Sequence, residues 1–426
     1  MKIVIVGYGP GGAAAAVAAR LFNSEADIKI VTEETLESHK KPGASLALEE
    51  PDTIDLAIKD WSWSELAKKR IDVMPGTSVT QGDSKSNSLQ ITGQKGASTL
   101  NYDKLILATG GIPNIPKIPG TDLKGVFTVQ TMADTSEIGK QLAGMNKIVI
   151  VGAGFSGLET AERLVSLGKD THMIVRSRLM RRQLEEPMST ELLSRLPSSL
   201  TVHKGVSPSS VSGNEKAEKL ILGDREMDVD AVLFMTGVKP NVQLAEQLGV
   251  KIGGLGGIVT DEKMQTSEDG IYAVGDCVEV IDSYTNKPLL LPVGSVAARA
   301  GRQAGVAAVG GKKIYDDTSK RLQYDRIFGT DIVCIGHSST TAEDMGVKTS
   351  VQYVNDESEF AKVALVTDSK GQLIGGQVIA SRMGARLGYE ILDRVESGAT
   401  LSDKPLLKPR HERLRDYLES TYGPIR

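Results

Sequence analysis

The chain has 426 residues and a mass of 45.5 kDa, a length that accommodates roughly two to four domains of ordinary size. Fifty basic residues against 54 acidic ones give a formal net charge of −4. That balance excludes nucleic acid as the principal ligand. Two cysteines, Cys277 and Cys334, exclude a disulfide scaffold and a four-cysteine zinc site, and no metal site is expected.

Met1 is followed at once by Lys2-Ile3-Val4-Ile5-Val6-Gly7, a strand entering a turn, so no signal peptide is expected. The most apolar helix-like run, residues 13–21, is too short and too rich in alanine to span a bilayer. A cytoplasmic protein without membrane insertion is expected. Forty-five glycines without a collagen period point to many tight turns and close backbone approaches.

Two segments repeat one pattern. Ile3-Val4-Ile5-Val6 leads into Gly7-Tyr8-Gly9-Pro10-Gly11-Gly12 and an alanine-rich helix, then a second strand over residues 28–31. Downstream, Ile148-Val149-Ile150-Val151 leads into Gly152-Ala153-Gly154-Phe155-Ser156-Gly157, a helix over 158–167 and a strand over 172–175. Each is a strand–turn–helix–strand unit with a dinucleotide fingerprint at its turn. The proline-containing stretch 110–120 and the run Gly237-Val238-Lys239-Pro240-Asn241 read as crossings between domains. From Tyr324 alternating apolar strands (332–335, 361–366, 373–379) and helices suggest a third, α+β domain. Its last helix, 408–419, is charged and reads as a solvated face.

At the first turn Gly7 permits the sharp bend, Gly9 lets the backbone approach a pyrophosphate, and Gly12 lets helix and strand pack closely. Glu33 and Glu34 stand where an acid would hold a ribose hydroxyl. Gly152, Gly154 and Gly157 repeat the three glycine roles. At the second ribose position the strand ends in Val175-Arg176-Ser177-Arg178, with Arg181 and Arg182 beyond. A guanidinium cannot accept from a 2′-hydroxyl but pairs with a 2′-phosphate, which favours NADPH over NADH at Arg176 and Arg178. The alternative is a basic surface segment pairing with Glu185 and Glu186.

Two dinucleotide units in one chain suggest electron traffic between two dinucleotides. The arrangement resembles the FAD-dependent pyridine nucleotide–disulfide oxidoreductase superfamily, on four ordered motifs. Tyr102 to Gly110, ending in Ala108-Thr109-Gly110, is similar to the family strand at which the chain leaves the flavin domain. Gly152 to Glu159 is similar to its NAD(P)H fingerprint, and Thr236-Gly237-Val238-Lys239-Pro240-Asn241 to its return crossing. Ile271 to Cys277, containing Gly275-Asp276, is similar to its second flavin motif. The resemblance implies FAD as cofactor, with Asp276 on the ribityl chain, the helix after Pro292 holding the flavin, and Glu159 near the nicotinamide. It implies two Rossmann-like α/β domains and a C-terminal α+β dimerisation domain: residues 1–112 with 242–322 for FAD, 113–241 for NAD(P)H, and 323–426 for dimerisation, hence a homodimer. Length and tail look most like the NADH oxidase and coenzyme A-disulfide reductase branch.

Members of that branch carry a redox cysteine soon after the first ribose-binding acid. Here the stretch is Ser38-His39-Lys40-Lys41-Pro42-Gly43-Ala44-Ser45, and Pro42 takes the cysteine's place. Without a thiolate there is no local group for a mixed disulfide. Lys41-Pro42 and Ser45 also echo cysteine-free ferredoxin reductases, although Leu46 stands where those have lysine. His39 is a candidate proton donor or substrate contact; Cys277 and Cys334 read as buried core, and His411 as a solvated position. The expectation is an FAD-dependent NAD(P)H oxidoreductase that passes hydride to FAD and on to a small acceptor: oxygen, a quinone, a sulfur compound or a disulfide. The alternatives are a reductase of a small ferredoxin- or rubredoxin-type carrier, docked on Lys40, Lys41 and the arginines, and a non-catalytic flavin redox sensor.

Overall fold

The β-branched run Lys2–Val6 forms the central strand of a five-stranded parallel sheet, in the order Ile271–Ala273, Lys104–Leu107, Lys2–Val6, Asp27–Val31, Ile71–Met74. In this computed structural model residues 1–37, 44–49, 58–315, 318–356 and 361–401 are described. A parallel sheet must be covered on both faces. On one face lie two helices, Pro10–Phe22 and Gly294–Ala308, whose small residues let them pack along their length. Trp61 and Trp63 pack against the core they share with the sheet, and the Tyr8 hydroxyl donates to the Trp61 carbonyl.

A second five-stranded parallel sheet has the order Leu200–Lys204, Asp170–Val175, Lys147–Val151, Ala231–Phe234, Val126–Phe127. The helix Phe155–Ser166 buries Leu158, Ala161 and Leu164 and packs on the strands Lys147–Val151 and Asp170–Val175. A small antiparallel sheet, built from Ser210–Ser212, Lys219–Leu222 and Arg225–Asp228, closes a core of Val149, Ile174, Leu220 and Phe234. Between the two parallel sheets the chain crosses as an antiparallel pair, Gly111–Pro113 with Val238–Pro240. The Thr109 hydroxyl donates to the Asn241 carbonyl at 2.7 Å and fastens that crossing.

These parts form one unit, Met1–Ser177 with Ser198–Arg321; the other consists of Arg178–Pro197 and the described residues from Leu322 onward. In the latter an antiparallel sheet runs Leu322–Ile327, Thr330–Gly336, Leu373–Ala380, Ala361–Asp368, Thr349–Asp356. One face packs on the helix Gly384–Glu396 through Val333, Ile335, Val363, Leu387 and Ile391. The other face carries Ile332, Cys334, Val366 and Ile379, equally buried. Every residue of Leu373–Ala380 is buried, so this sheet needs a second cover. The segment Arg178–Pro197 supplies it: its helix Glu186–Ser194 packs on the strands Ala361–Asp368 and Leu373–Ala380. Residues 113–241, read from the sequence as one domain, are therefore divided, with 178–197 grouped with the tail.

Candidate dinucleotide sites

The first fingerprint is a sharp turn locked by backbone contacts. Gly7 has φ +110°, and a Cβ there would overlap the carbonyl oxygen of Ala108. Its N–H donates to Val31 at 2.8 Å, while the Ala108 N–H donates to Val6 at 2.8 Å. Ala108, Thr109 and Gly110 are thereby brought beside Gly7. A Cβ on Gly12 would overlap the Gly7 carbonyl, whereas Gly9 faces open space. Gly9 caps the helix Pro10–Phe22 with no side-chain hydrogen bond, so its first N–H groups remain for an anion. Glu33 is exposed and Glu34 half-buried just past the strand Asp27–Val31. Among the described residues no hydrogen bond or ion pair engages either carboxylate, as a ribose-binding acid requires.

Three further motif residues converge there. Val274 pairs back to Leu107 at 2.9 Å, which sets Gly275 (φ +85°) and Asp276 beside the end of Lys104–Leu107. Pro292 is exposed and precedes the helix Gly294–Ala308, whose N-cap Val293 makes no side-chain cap. Gly294 lies next to Pro10, with a built Cβ 3.8 Å from the Pro10 ring. Two helix N-termini thus start side by side, a concentration of N–H groups with no intrahelical acceptor and of positive dipole ends, suited to a diphosphate and an electron-poor ring. The open glycines, the uncapped helices and the carboxylates of Glu33 and Glu34 fit a dinucleotide such as FAD.

The second fingerprint repeats this geometry. Gly152 has φ +115° and would meet the Met235 carbonyl with any Cβ; Gly157 approaches the Gly152 carbonyl, and Gly154 caps the helix with open space before it. Glu159 is buried on that helix. Gly237 (φ +87°) faces open space after Ala231–Phe234 and accepts from the Asn114 N–H at 2.9 Å.

The arginines separate. Arg176 is exposed directly after Asp170–Val175. Arg178 instead donates to the carbonyls of Arg181 (3.1 Å) and Leu184 (3.4 Å) and to Thr340 Oγ1 (3.3 Å). Arg182 pairs with Asp344 at 3.0 Å. Glu185 is buried and accepts from the Ser339 N–H (2.8 Å), the Ser339 hydroxyl and Gln377 Nε2 (3.0 Å). The alternative in which this segment's arginines pair with Glu185 is not what that carboxylate does. Arg178 Nη2 is thus engaged by protein acceptors, whereas Arg176 is exposed where that strand ends.

Both cysteines are free and buried. Burial pushes the Cys277 thiol up against smaller opposing hydrogen bonds from Thr109 and Gly110. His39, Lys41, Pro42 and His411 lie outside the described residues. Sequence reasoning passed over Gln130, whose side-chain amide donates to the Gly111 carbonyl at the crossing; a lone glutamine in a loop carries no pattern that would have singled it out. No metal-ligand cluster occurs among the described residues, and no helix among them is long and apolar enough to cross a membrane.

A profile of the family described as pyridine nucleotide-disulphide oxidoreductase matches residues 1–298. An NADH oxidase of Methanocaldococcus jannaschii is 35% identical over 311 residues, which is 72% of this chain and 69% of that protein. An NAD(P)H coenzyme A polysulfide/persulfide reductase of Pyrococcus horikoshii is 29% identical over 94% of this chain and 90% of its own. Among solved structures, an NAD-dependent persulfide reductase from A. fulgidus superposes with a TM-score of 0.86 at 26% identity, over 99% of this chain and 84% of that one. With both fingerprints and the two crossings built as described, the chain belongs to the pyridine nucleotide-disulphide oxidoreductase family, whose members are flavin enzymes dependent on NAD(P)H.

Proposed function

We propose that this enzyme takes hydride from NADPH and delivers the electron pair from its FAD directly to a small acceptor, with no protein thiol as relay. The observation that carries the reading is the state of the thiols. The sequence holds two cysteines, and both are buried. Burial keeps Cys277 protonated, and only a thiolate attacks a disulfide or a sulfane sulfur. FAD, when bound, accepts a hydride and can return its two electrons to oxygen, a quinone or a sulfur compound. The chain's part is placement: Gly9 and Gly154 open two helix N-termini to the phosphates, Glu33 or Glu34 accepts from the FAD ribose, and Asp276 holds the ribityl chain. Arg176 reads the 2′-phosphate of NADPH, since no acid stands at the end of Asp170–Val175 to hold a free 2′-hydroxyl.

Anaerobic titration with NADPH, and separately with NADH, is expected to bleach the flavin band, and each candidate acceptor is then admitted in turn. The double variant Cys277→Ala, Cys334→Ala is expected to keep turnover with whichever acceptor restores the band; loss of turnover with flavin reduction intact would show a thiol relay. In Arg176→Glu the efficiency with NADPH relative to NADH is expected to fall by about 10- to 100-fold, the worth of one charge-assisted hydrogen bond. An unchanged ratio removes Arg176 from coenzyme choice.

A further inference from the structure

The short 3-10 helix Ala44–Leu48 follows the first fingerprint unit in sequence, between the strands Asp27–Val31 and Ile71–Met74 of the first parallel sheet. Its packing partners nevertheless belong to the second unit: the helices Met132–Leu142 and Phe155–Ser166. Ala44, Ser45, Ala47 and Leu48 are buried. On the former helix, a Cβ added at Gly139 would lie 3.0 Å from the carbonyl oxygens of both Ala47 and Leu48. A bare backbone there is what lets the helix rest on the turn.

On the latter helix, Arg163 Nη1 reaches Glu49 Oε2 at 3.3 Å, across 114 residues of sequence, while its Nη2 pairs with Glu162. Arg163 and Glu49 are each 22% exposed and Glu162 18%. A pair so shielded is weakly screened, and removal of one member leaves charge partly desolvated. Burial opposes the Arg163 charge; Glu162 and then Glu49 outweigh it and hold the guanidinium above its ordinary value. Glu159 lies one helical turn before Arg163, on the same side of the helix.

We infer that Arg163 is a positioning residue: with Glu49, Glu162 and the bare backbone of Gly139 it latches the turn Ala44–Leu48 onto the NAD(P)H-binding helix, and so sets the approach of the nicotinamide to the flavin. No other ion pair among the described residues ties this turn to that helix. The latch acts through the placement of the turn and of Glu159, and Arg163 touches neither reacting ring. On the proposed function, on which this inference rests, hydride transfer depends steeply on such placement, whereas binding of the adenosine and phosphates, assigned there to Gly154 and Arg176, does not depend on the latch.

The test uses the FAD-loaded protein and three variants: Arg163→Leu, the near-isosteric Glu49→Gln, and both together, with Arg163→Lys as the conservative control. Stopped-flow reduction by NADPH is expected to show a limiting rate lowered by about tenfold in each single variant, with the coenzyme dissociation constant within twofold of the parent. The double variant is expected to be no slower than the worse single, because one latch is broken only once, and Arg163→Lys is expected to recover most of the rate. In the cofactor-free protein, amide exchange over 44–49 is expected to quicken in both single variants while 147–151 stays protected. A limiting rate within twofold of the parent in Arg163→Leu and Glu49→Gln, additive losses in the double variant, or unchanged exchange over 44–49 would each overturn the assignment.

Discussion

His203 shows how one side chain acquires a pH dependence from its neighbours. Its ring stacks on His172, with centroids 5.3 Å apart and planes 23° from parallel. His172 Nδ1 lies 3.0 Å from His203 Nε2, so one proton serves the two facing nitrogens. Asp170 lies 3.1 Å from His172 Nε2, without hydrogen-bond alignment. Burial first, and then the charges of His172, Lys147 and Arg225, hold His203 below the ordinary imidazole value. In the unfolded chain the ring titrates near about 6.5, so on acidification the unfolded state binds its proton first. The stability this supplies is complete above about pH 6.5 and is lost as the pH falls from there through the folded value. Urea unfolding of the parent and of His203→Gln between pH 8 and pH 5 should therefore give curves that converge on acidification. Parallel curves would mean that the imidazole pair contributes nothing to acid sensitivity.

Among the elements, the segment Arg178–Pro197 has the least obvious logic. It leaves the strand Asp170–Val175, covers a sheet of the other unit, and returns at Ser198 to form Leu200–Lys204. Leu179, Met180, Leu184, Met188 and Leu192 are buried in it, and Glu185 fastens it, since its N–H also donates to Gln377 Oε1 at 2.7 Å. Glu185→Ala strands the Ser339 N–H and the Gln377 amide, each costing about 1–3 kcal/mol. The segment 178–197 is expected to become protease-sensitive well before the rest of the chain, while Glu185→Gln, which keeps one accepting oxygen, is expected to lose less. Equal resistance of Glu185→Ala and the parent would show that apolar burial alone holds the segment. The two fingerprints were legible in the sequence because their demands are local: Gly7 and Gly152 need positive φ, and both follow uninterrupted β-branched strands. The destination of 178–197 was not legible, because a half-apolar helix records that it is covered but not by what. The acceptors that Arg178 meets at Leu184 and Thr340 were illegible for the same reason, as they exist only once that segment has docked.

At the scale of the whole molecule, chain order and packing diverge. One unit holds both fingerprints, the crossing strands and the helices Pro10–Phe22, Phe155–Ser166 and Gly294–Ala308. The other holds the antiparallel sheet with a cover taken from between the strands Asp170–Val175 and Leu200–Lys204. Cooperative units follow packing rather than sequence. A ligand that binds one of them raises its opening free energy by mass action, about 2.7 kcal/mol at a hundredfold excess over its dissociation constant. Native-state hydrogen exchange in rising urea is thus expected to group 186–194 with 361–380. NADPH is expected to slow exchange in 147–151 and 170–175, which flank the second fingerprint, and to leave 186–194 and 361–380 nearly unchanged. Should 186–194 instead open with 170–175 and gain the same protection from NADPH, the segment would belong energetically to the coenzyme-binding unit. The sheet of Leu322–Ile327 and its neighbours would then depend for its second face on an element whose stability the coenzyme controls.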